Sequence, residues 1–353
     1  FFKHEFNSIG IKTICLNPPL FNIEDPKPLH LFICAYRLKK WIDDVDLINC
    51  HNFPSNLWVT SALSQIKRSI KTIWTCHEPP RSLYSDYLID KRVSNHFFDP
   101  QHGINYLHSP NTKSNKNNRL VQLDFNAIKN IDYIFANSHY TADAIQKIYN
   151  KKARVCYFGY PQKNYKITPS QSKQNHCFGV ISRLEFIKNI PYIIYGFYLY
   201  TKQFPKQDIR LDIVGTGSEY EKLVTYVQQL GLSNHIHFHG FVQDEDLKIL
   251  YQRWKAVIYC PFNEPFGLIP LEAAQHHLPC IVSHHGGLCE SVIHNQTGIH
   301  INPFDPETLA QALHRYSKLS LAKKDGQHAN QHITNTFSFK SYLDHYESLF
   351  DHY

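Results

Sequence analysis

Short runs of β-branched and aromatic residues alternate along this chain with longer stretches of helical periodicity, and few folds accept that alternation. It is the pattern of repeated βαβ units, in which parallel strands form one sheet and the connecting helices cover it. Strand-like runs of the first half lie at residues 12–16, 46–50, 72–76, 133–136 and 154–158. In the second half they lie at 178–182, 210–214, 236–239, 256–260 and 280–283, with helices starting at Ile190, Glu219, Asp244 and near Gly267. No unit recurs at a fixed period. A length of 353 residues is long for one domain and suits two α/β domains of roughly 150 residues each. Residues 161–176 are polar and aperiodic and read as the linker, leaving an N-terminal domain at 1–160 and a C-terminal one at 177–336. Residues 337–353 carry apolar positions at helical spacing, a terminal helix expected to pack back on the N-terminal domain. The Asn-, His-, Ser- and Pro-rich segment 94–118 reads as a long loop.

Composition narrows the partners. Apolar residues make up 42% of the chain, enough for two packed cores. The net charge of +7 suits an anionic ligand or an anionic membrane face, but it is scattered and forms no basic run of the kind nucleic acid would need. Nine cysteines include no C-x-x-C pair and mostly sit inside apolar strand-like runs, the usage of buried free thiols in a reducing, cytoplasmic setting. No run of about 18 apolar residues is present to span a membrane, and the start has no signal-peptide pattern. The chain contains no Met and opens on residues that read as the tail of a helix, which leads us to expect further sequence in front of Phe1.

Chemistry concentrates in the second half. The run CPFNEPFGLIPLEAA at 260–274 ends a strand, turns through Pro and Gly, and begins a helix. Backbone N–H groups at such a helix start favour anionic or oxygen-rich ligands. Glu264 on the turn and Glu272 on the helix can face one crevice and accept hydrogen bonds from sugar hydroxyls, although two glutamates eight positions apart on a surface helix are more often simply solvated. Arg183 and Lys188 follow the strand 178–182, where open α/β sheets bind ligands. Two cations there can clamp a diphosphate, Arg183 by its fork and Lys188 as a point charge. Gly215-Thr-Gly217 closes the next strand with a Gly-rich turn, a weak phosphate signal by itself. Gly240 and Phe241 end another strand, and Gly286, Gly287 and Glu290 follow the last. His77 stands after an apolar strand with Glu78, two prolines and Arg81 nearby, a setting that favours a functional histidine over an ordinary structural hydrogen-bonder. His235, His237 and His239 share a strand face, but no Asp, Glu or Cys accompanies them in sequence and no metal site is assigned.

In that order, Ser-Arg183…Lys188-Asn, Ile-Val-Gly-x-Gly, His-Gly-Phe241, Glu264-Pro-Phe-Gly-Leu…Glu272 and Gly-Gly…Glu290 resemble family 4 of the retaining glycosyltransferases. The likeness is strong over 177–320 and fainter around Asn137, Ser138 and the stretch from Cys76 to Arg81. It implies a GT-B fold, two Rossmann-like doubly wound domains facing each other across a cleft, with no metal and a nucleotide-sugar co-substrate. By resemblance Arg183 and Lys188 hold the donor diphosphate and Glu272 the ribose. Glu264 grips the donor sugar with the backbone N–H groups of Phe266, Gly267 and Leu268, and the backbone at Gly240 and Phe241 reads the base. His77 reaches the donor sugar, with Glu78 and Arg81 on the acceptor side. Transfer with retention would proceed by front-face attack of an acceptor hydroxyl within an ion pair, the departing diphosphate taking the proton. Preplaced cations lower that barrier, and no side-chain nucleophile is needed.

The stretch from Cys76 to Arg81 resembles polysaccharide mannosyltransferases and makes GDP-mannose the first expectation for the donor, with a UDP-hexose second. A glycan or lipid-linked acceptor, met peripherally at the inner membrane face, suits the scattered positive charge. Two departures stand out. Members of the family usually begin with a strand, a Gly-rich loop and a helix; here residues 10–14 resemble the second strand, so the N-terminal domain is expected to lack its first strand and helix. At Gln275-His276-His277-Leu278-Pro279 a small residue or Gly is common before the Leu-Pro step in the family. Two other readings stay open at this point: an impaired nucleotide-sugar-binding module, which would bind nucleotide without transfer, and a GT-B nucleotide-sugar epimerase, which would turn over without acceptor.

Overall fold

A computed structural model of the chain describes residues 28–42, 45–66, 69–88, 98–99, 104–105, 118–160 and 177–348. The strand read at 12–16, the linker at 161–176 and most of the 94–118 segment lie outside the described residues. Packing divides the chain into two units. Residues up to Ser85, 113–136 and 144–154 form the first, and 86–112, 137–143 and Val155 onward form the second.

In the first unit, helix α1 (Pro28–Ile42) precedes β1 (Leu47–His51), α2 (Ser55–Leu63), β2 (Lys71–Cys76) and α3 (Arg81–Leu88). The two-residue strands β3 (Phe98–Asp99) and β4 (Ile104–Asn105), which group with the second unit, pair with each other, and α4 (Asn118–Lys129), β5 (Tyr133–Ala136), α5 (His139–Tyr149) and β6 (Arg154–Val155) follow along the chain. The sheet order is β1-β2-β5-β6, with β1, β2 and β5 parallel. Beneath it the carboxylate of Asp124, fully buried, accepts hydrogen bonds from Asn56 Nδ2 and from the hydroxyls of Tyr84 and Tyr149, each at 2.7 Å. Three donors converging on one carboxylate offset the cost of burying it. They also tie α2, α3 and α5 to α4.

The second unit continues with β7 (Cys177–Ile181), a 3₁₀ turn (Phe186–Lys188), α6 (Ile190–Gln203), β8 (Arg210–Val214), α7 (Tyr220–Gln229) and β9 (Ile236–Gly240). Then come α8 (Asp244–Tyr251), β10 (Trp254–Tyr259), α9 (Ile269–Gln275), β11 (Cys280–Ser283), α10 (Leu288–Ser291) and β12 (Gly298–Ile301). Helices α11 (Pro306–Ser317), α12 (Leu319–Thr336) and α13 (Phe339–Ser348) finish the chain. The six strands are parallel in the order β12-β11-β10-β7-β8-β9. Counted along the chain this is the doubly wound 3-2-1-4-5-6 arrangement, and its direction reverses between β7 and β10.

Local sequence explains the centre of this sheet. All six residues of β10 are buried, as expected of a strand covered on both faces. Beside it, Gly179 of β7 is required by size: a Cβ there would lie 2.2 Å from the Trp254 indole. Helix α6 starts from Asn189 in the left-handed conformation (φ 57°), with a proline in its first turn. It buries an almost wholly apolar face against α11, and a Cβ at Gly196 would meet Leu309 at 2.7 Å. Strand β12 and helices α11 and α12 have no counterpart in the sequence reading. The Cys177-to-Ser283 strands and the α6–α9 starts agree with it to within two residues. Helix α13 packs on the 155–160 segment, where Tyr160 N donates to Phe337 O at 2.8 Å and His345 Nε2 to Val155 O at 2.7 Å. Among the described residues no helix is long and apolar enough to cross a membrane.

The expectation of buried thiols holds for six described cysteines, with Cys177 half-buried; Cys289 is exposed. It lies on the outer face of the four-residue α10, which sequence periodicity is too short to reveal.

Candidate active site

Because the second sheet is parallel, every strand delivers its carboxyl end to the same edge. Lys188 arrives there after β7 and Glu264 after β10, the two strands flanking the reversal in strand order. Their approach is built into the backbone. Phe262 N donates to Ile187 O at 2.9 Å, joining the 3₁₀ turn to the segment after β10. Asn189, buried and left-handed, ends that turn immediately after Lys188 and anchors its own Nδ2 on Pro303 O.

The result is a compact polar triad. Lys188 Nζ lies 2.9 Å from Glu264 Oε2 and 3.0 Å from the Tyr259 hydroxyl, which itself donates to Glu264 Oε2 at 2.9 Å. Both charged side chains are only 16% exposed. An ammonium has three N–H donors, and these contacts engage two of them. The third makes no hydrogen bond to another described residue. Tyr259 did not figure in the sequence reading; its signal was a tyrosine closing an aliphatic strand five residues before Glu264.

The glycines singled out in sequence have packing roles. Gly215, at φ +132°, brings the turn after β8 so close that a Cβ would lie 1.8 Å from Ser182 O, and one on Gly217 would lie 2.3 Å from Leu184 O. The pair is therefore a brace for the Arg183 segment. Gly286 and Gly287 do the same for the Glu264 turn. Gly287 N donates to Glu264 O at 2.9 Å. A Cβ on Gly286 (φ +70°) would approach that oxygen to 2.3 Å, and one on Gly287 would approach Pro265 O to 2.1 Å. Ser138 Oγ, from the 137–143 segment grouped with this unit, donates to Pro265 O at 2.6 Å.

Glu290 holds that same segment. Its carboxylate accepts from the N–H groups of His139 (2.8 Å) and Tyr140 (3.0 Å) and from the Tyr157 hydroxyl (2.9 Å). A carboxylate at the start of α5 satisfies N–H groups that no helical turn can reach. Glu290 belonged to the motif order in sequence, but no role was assigned to it.

Other named residues stand at the same edge without joining the triad. Arg183 is exposed and pairs with no carboxylate among the described residues. Phe241, 79% exposed, follows Gly240, whose φ of +65° turns the chain at the end of β9. Gly267, at φ +84°, leads into α9, with Phe266 buried and Leu268 exposed on either side. Half-buried Glu272 lies in the first turn of α9, and burial together with its charge pushes the Tyr251 phenol well up. The α9 helix ends through His277 at φ +55°, so a Gly before the Leu-Pro step would have a backbone reason.

His77, Glu78 and Arg81 belong to the first unit, just past the carboxyl end of β2. His77 N donates to Asn52 Oδ1 at 2.8 Å, and Arg81 pairs with Glu78. Burial, and then the nearby His51, push the His77 imidazole down to about 4, so it is neutral at pH 7. In the second unit His239 Nε2 faces Asp212 Oδ1 at 3.0 Å, a partner brought by the neighbouring strand and invisible in the His235–His239 pattern. Although burial pushes the Asp212 carboxyl up, hydrogen bonds from His239, Trp254 and Cys177 hold it below its ordinary value.

Comparison with known proteins places this geometry. The family model described as Glycosyltransferase Family 4 matches residues 12–161, and that described as Glycosyl transferases group 1 matches 162–334. The chain belongs to glycosyltransferase family 4. This family 4 chain is 33% identical over 135 residues to an uncharacterized glycosyltransferase of Methanocaldococcus jannaschii, covering 38% of this chain and 34% of that one. It is 27% identical over 238 residues to the mouse alpha-1,3/1,6-mannosyltransferase ALG2, covering 60% of this chain and 57% of that one. The matched stretch thus spans between about a third and somewhat over half of these relatives. Among solved structures, sucrose-phosphate synthase from Thermosynechococcus elongatus aligns with a TM-score of 0.76 at 19% identity, covering 97% of this chain and 83% of that one. Alr3699/HepE of Anabaena, solved with UDP, aligns with a TM-score of 0.76 at 18% identity, covering 100% and 89%. The family 4 chain has the GT-B fold.

Proposed function

We propose that the protein transfers a hexose from a nucleotide-diphosphate sugar to a hydroxyl of a glycan or lipid-linked acceptor, with retention of anomeric configuration and without a metal. The observation that carries this reading is the Lys188–Glu264–Tyr259 triad at the strand-order reversal of the unit that matches the group 1 glycosyl transferases. Departure of a nucleoside diphosphate builds negative charge at a place where Lys188, with one N–H in reserve, and exposed Arg183 can stabilise it. Glu264, with the backbone at Phe266, Gly267 and Leu268, is assigned to the donor sugar, Glu272 to the ribose, and Gly240 and Phe241 to the base. His77, Glu78 and Arg81 are assigned to the acceptor side. A front-face reaction needs no nucleophilic carboxylate, in keeping with a Glu264 already engaged by a cation.

Mannose is the first choice of sugar, supported by the match to mannosyltransferases named ALG2 from mouse and human, and GDP-mannose the first choice of donor. A UDP-hexose is second. The deciding experiment titrates UDP, GDP and ADP calorimetrically into the protein and its Lys188→Ala and Glu272→Ala variants. It then offers the sugar nucleotide of the preferred base with and without oligosaccharide or lipid-linked acceptors, in chelator, reading the product anomer by NMR. One nucleotide bound by the parent alone, followed by acceptor-dependent transfer with retention, supports the reading. Binding of none of the three, turnover without acceptor, or an inverted product overturns it.

A further inference from the structure

We propose that His284, Cys289 and His300 form a binding site for a transition-metal ion of the zinc class. Bound there, the ion would clamp the loop that backs the Glu264 turn. The three come from different elements: His284 follows β11, Cys289 lies in α10 and His300 in β12. One ligand atom of each lies within 4.8 Å of the other two. A tetrahedral zinc with bonds of about 2.0–2.3 Å needs ligand atoms roughly 3.5 Å apart, a closure to be made by the exposed side chains of His284 and Cys289.

The supporting structure holds these residues in place. Strands β11 and β12 pair in register, Val282 opposite His300 and Ser283 opposite Ile301, and His284 N donates to Ile301 O at 2.7 Å. This sets the two imidazoles side by side, ring centres 5.2 Å apart and 24° from coplanar. His300 Nε2 lies 2.7 Å from Val292 O. A carbonyl only accepts, so Nε2 carries the proton and Nδ1 carries the lone pair. A backbone carbonyl holding one ring nitrogen is the usual support for a histidine ligand. Two imidazoles and one thiolate make a borderline-soft set that selects zinc, cobalt or copper over magnesium or calcium. With two of the three side chains exposed, a fourth position is open to water.

The loop between the first two ligands contains Gly286 and Gly287, the residues packed against Glu264 O and Pro265 O. An ion held at both ends of that loop would stiffen the turn carrying Glu264, while its own ligands lie outside the triad. The site does not depend on the transfer reading, and its test does not use activity.

The chelator-stripped protein is titrated with Zn²⁺ against a chromogenic chelator and, separately, with Co²⁺. We expect one tight equivalent and a thiolate-to-cobalt charge-transfer band, both lost in Cys289→Ser, with affinity at least about tenfold weaker in His284→Ala. Among the described cysteines Cys289 alone is exposed, so Zn²⁺ should also protect one accessible thiol from a maleimide in the parent, with weaker protection in His284→Ala. Both substitutions fall on exposed side chains, and circular dichroism checks that the fold is kept. Cobalt bound without a thiolate band, or zinc bound equally well by Cys289→Ser, would overturn the proposal and place the metal on other histidines.

Discussion

Replacing Glu264 by Gln keeps the shape of the side chain and its hydrogen bonds to Lys188 and Tyr259 but removes the charge. In the parent the carboxylate sits 2.9 Å from the ammonium proposed to receive the diphosphate. At that distance the gross attraction is about 6 kcal/mol for an effective dielectric of about 20 and about 1.4 kcal/mol in bulk water. Desolvation takes back most of the larger figure, leaving a net hold of about 1–2 kcal/mol for a pair this close to solvent. A diphosphate must compete with that hold and with the repulsion of a carboxylate beside it. Glu264→Gln should therefore bind the nucleoside diphosphate more tightly, by about five- to thirty-fold. Transfer should fall, because the contact assigned to the donor sugar is weakened. Lys188→Ala should move the other way, losing a charge-assisted hydrogen bond worth about 1.5–3 kcal/mol. Calorimetric titration of both variants with the preferred nucleoside diphosphate measures the two directions. If Glu264→Gln weakens diphosphate binding as Lys188→Ala does, the carboxylate is not a competitor for the ammonium and the reasoning from the triad fails.

Three further outcomes follow from other parts of the molecule. His277→Gly should raise the thermal midpoint, since a non-glycine residue in the left-handed conformation costs about 1–2 kcal/mol and glycine does not pay it; an unchanged or lower midpoint would contradict this. Asp124→Ala should destabilise the first unit by about 3–5 kcal/mol, because it leaves three buried donors without their acceptor; denaturant unfolding that matches the parent would contradict it. Burial, with neighbouring positive charge second, also pushes His276 down to about 4, as it does His77. Between that value and the unfolded 6.5 the unfolded chain binds more protons. The contribution to stability is thus complete above about pH 6.5 and is lost as pH falls toward 4. Ring signals assigned to His77 and His276 that titrate near 6.5 in the folded protein would refute that linkage.

Much of the second sheet was legible because its strands are buried on both faces and read as apolar runs between turn residues. Ile258-Tyr259-Cys260 and Cys280-to-Ser283 are clear examples. Strand β12 escaped because Gly-Ile-His-Ile is short and starts on a glycine, and α12 because its exposed face is dense in His, Asn and Gln. Lys188 and Glu264 were nameable from motif order, but their contact depends on two strands adjacent in the sheet and 76 positions apart in the chain. The same holds for Glu290 and the start of α5, 151 positions away. The alternation of His235, His237 and His239 is visible in sequence. The His284, Cys289 and His300 group is assembled by the register of β11 on β12 and leaves no periodic trace.

The close fit of Trp254 over Gly179 makes those two positions a single volume shared by two residues. Neither can change size alone. An alanine at 179 would demand a smaller residue at 254, and that residue would in turn leave Asp212 without the indole N–H it accepts at 2.8 Å. Asp212 would keep its bonds from His239 and Cys177, so it is positions 179 and 254, on adjacent strands, that should vary together among related chains, and a Gly179→Ala variant should be rescued by a smaller residue at 254.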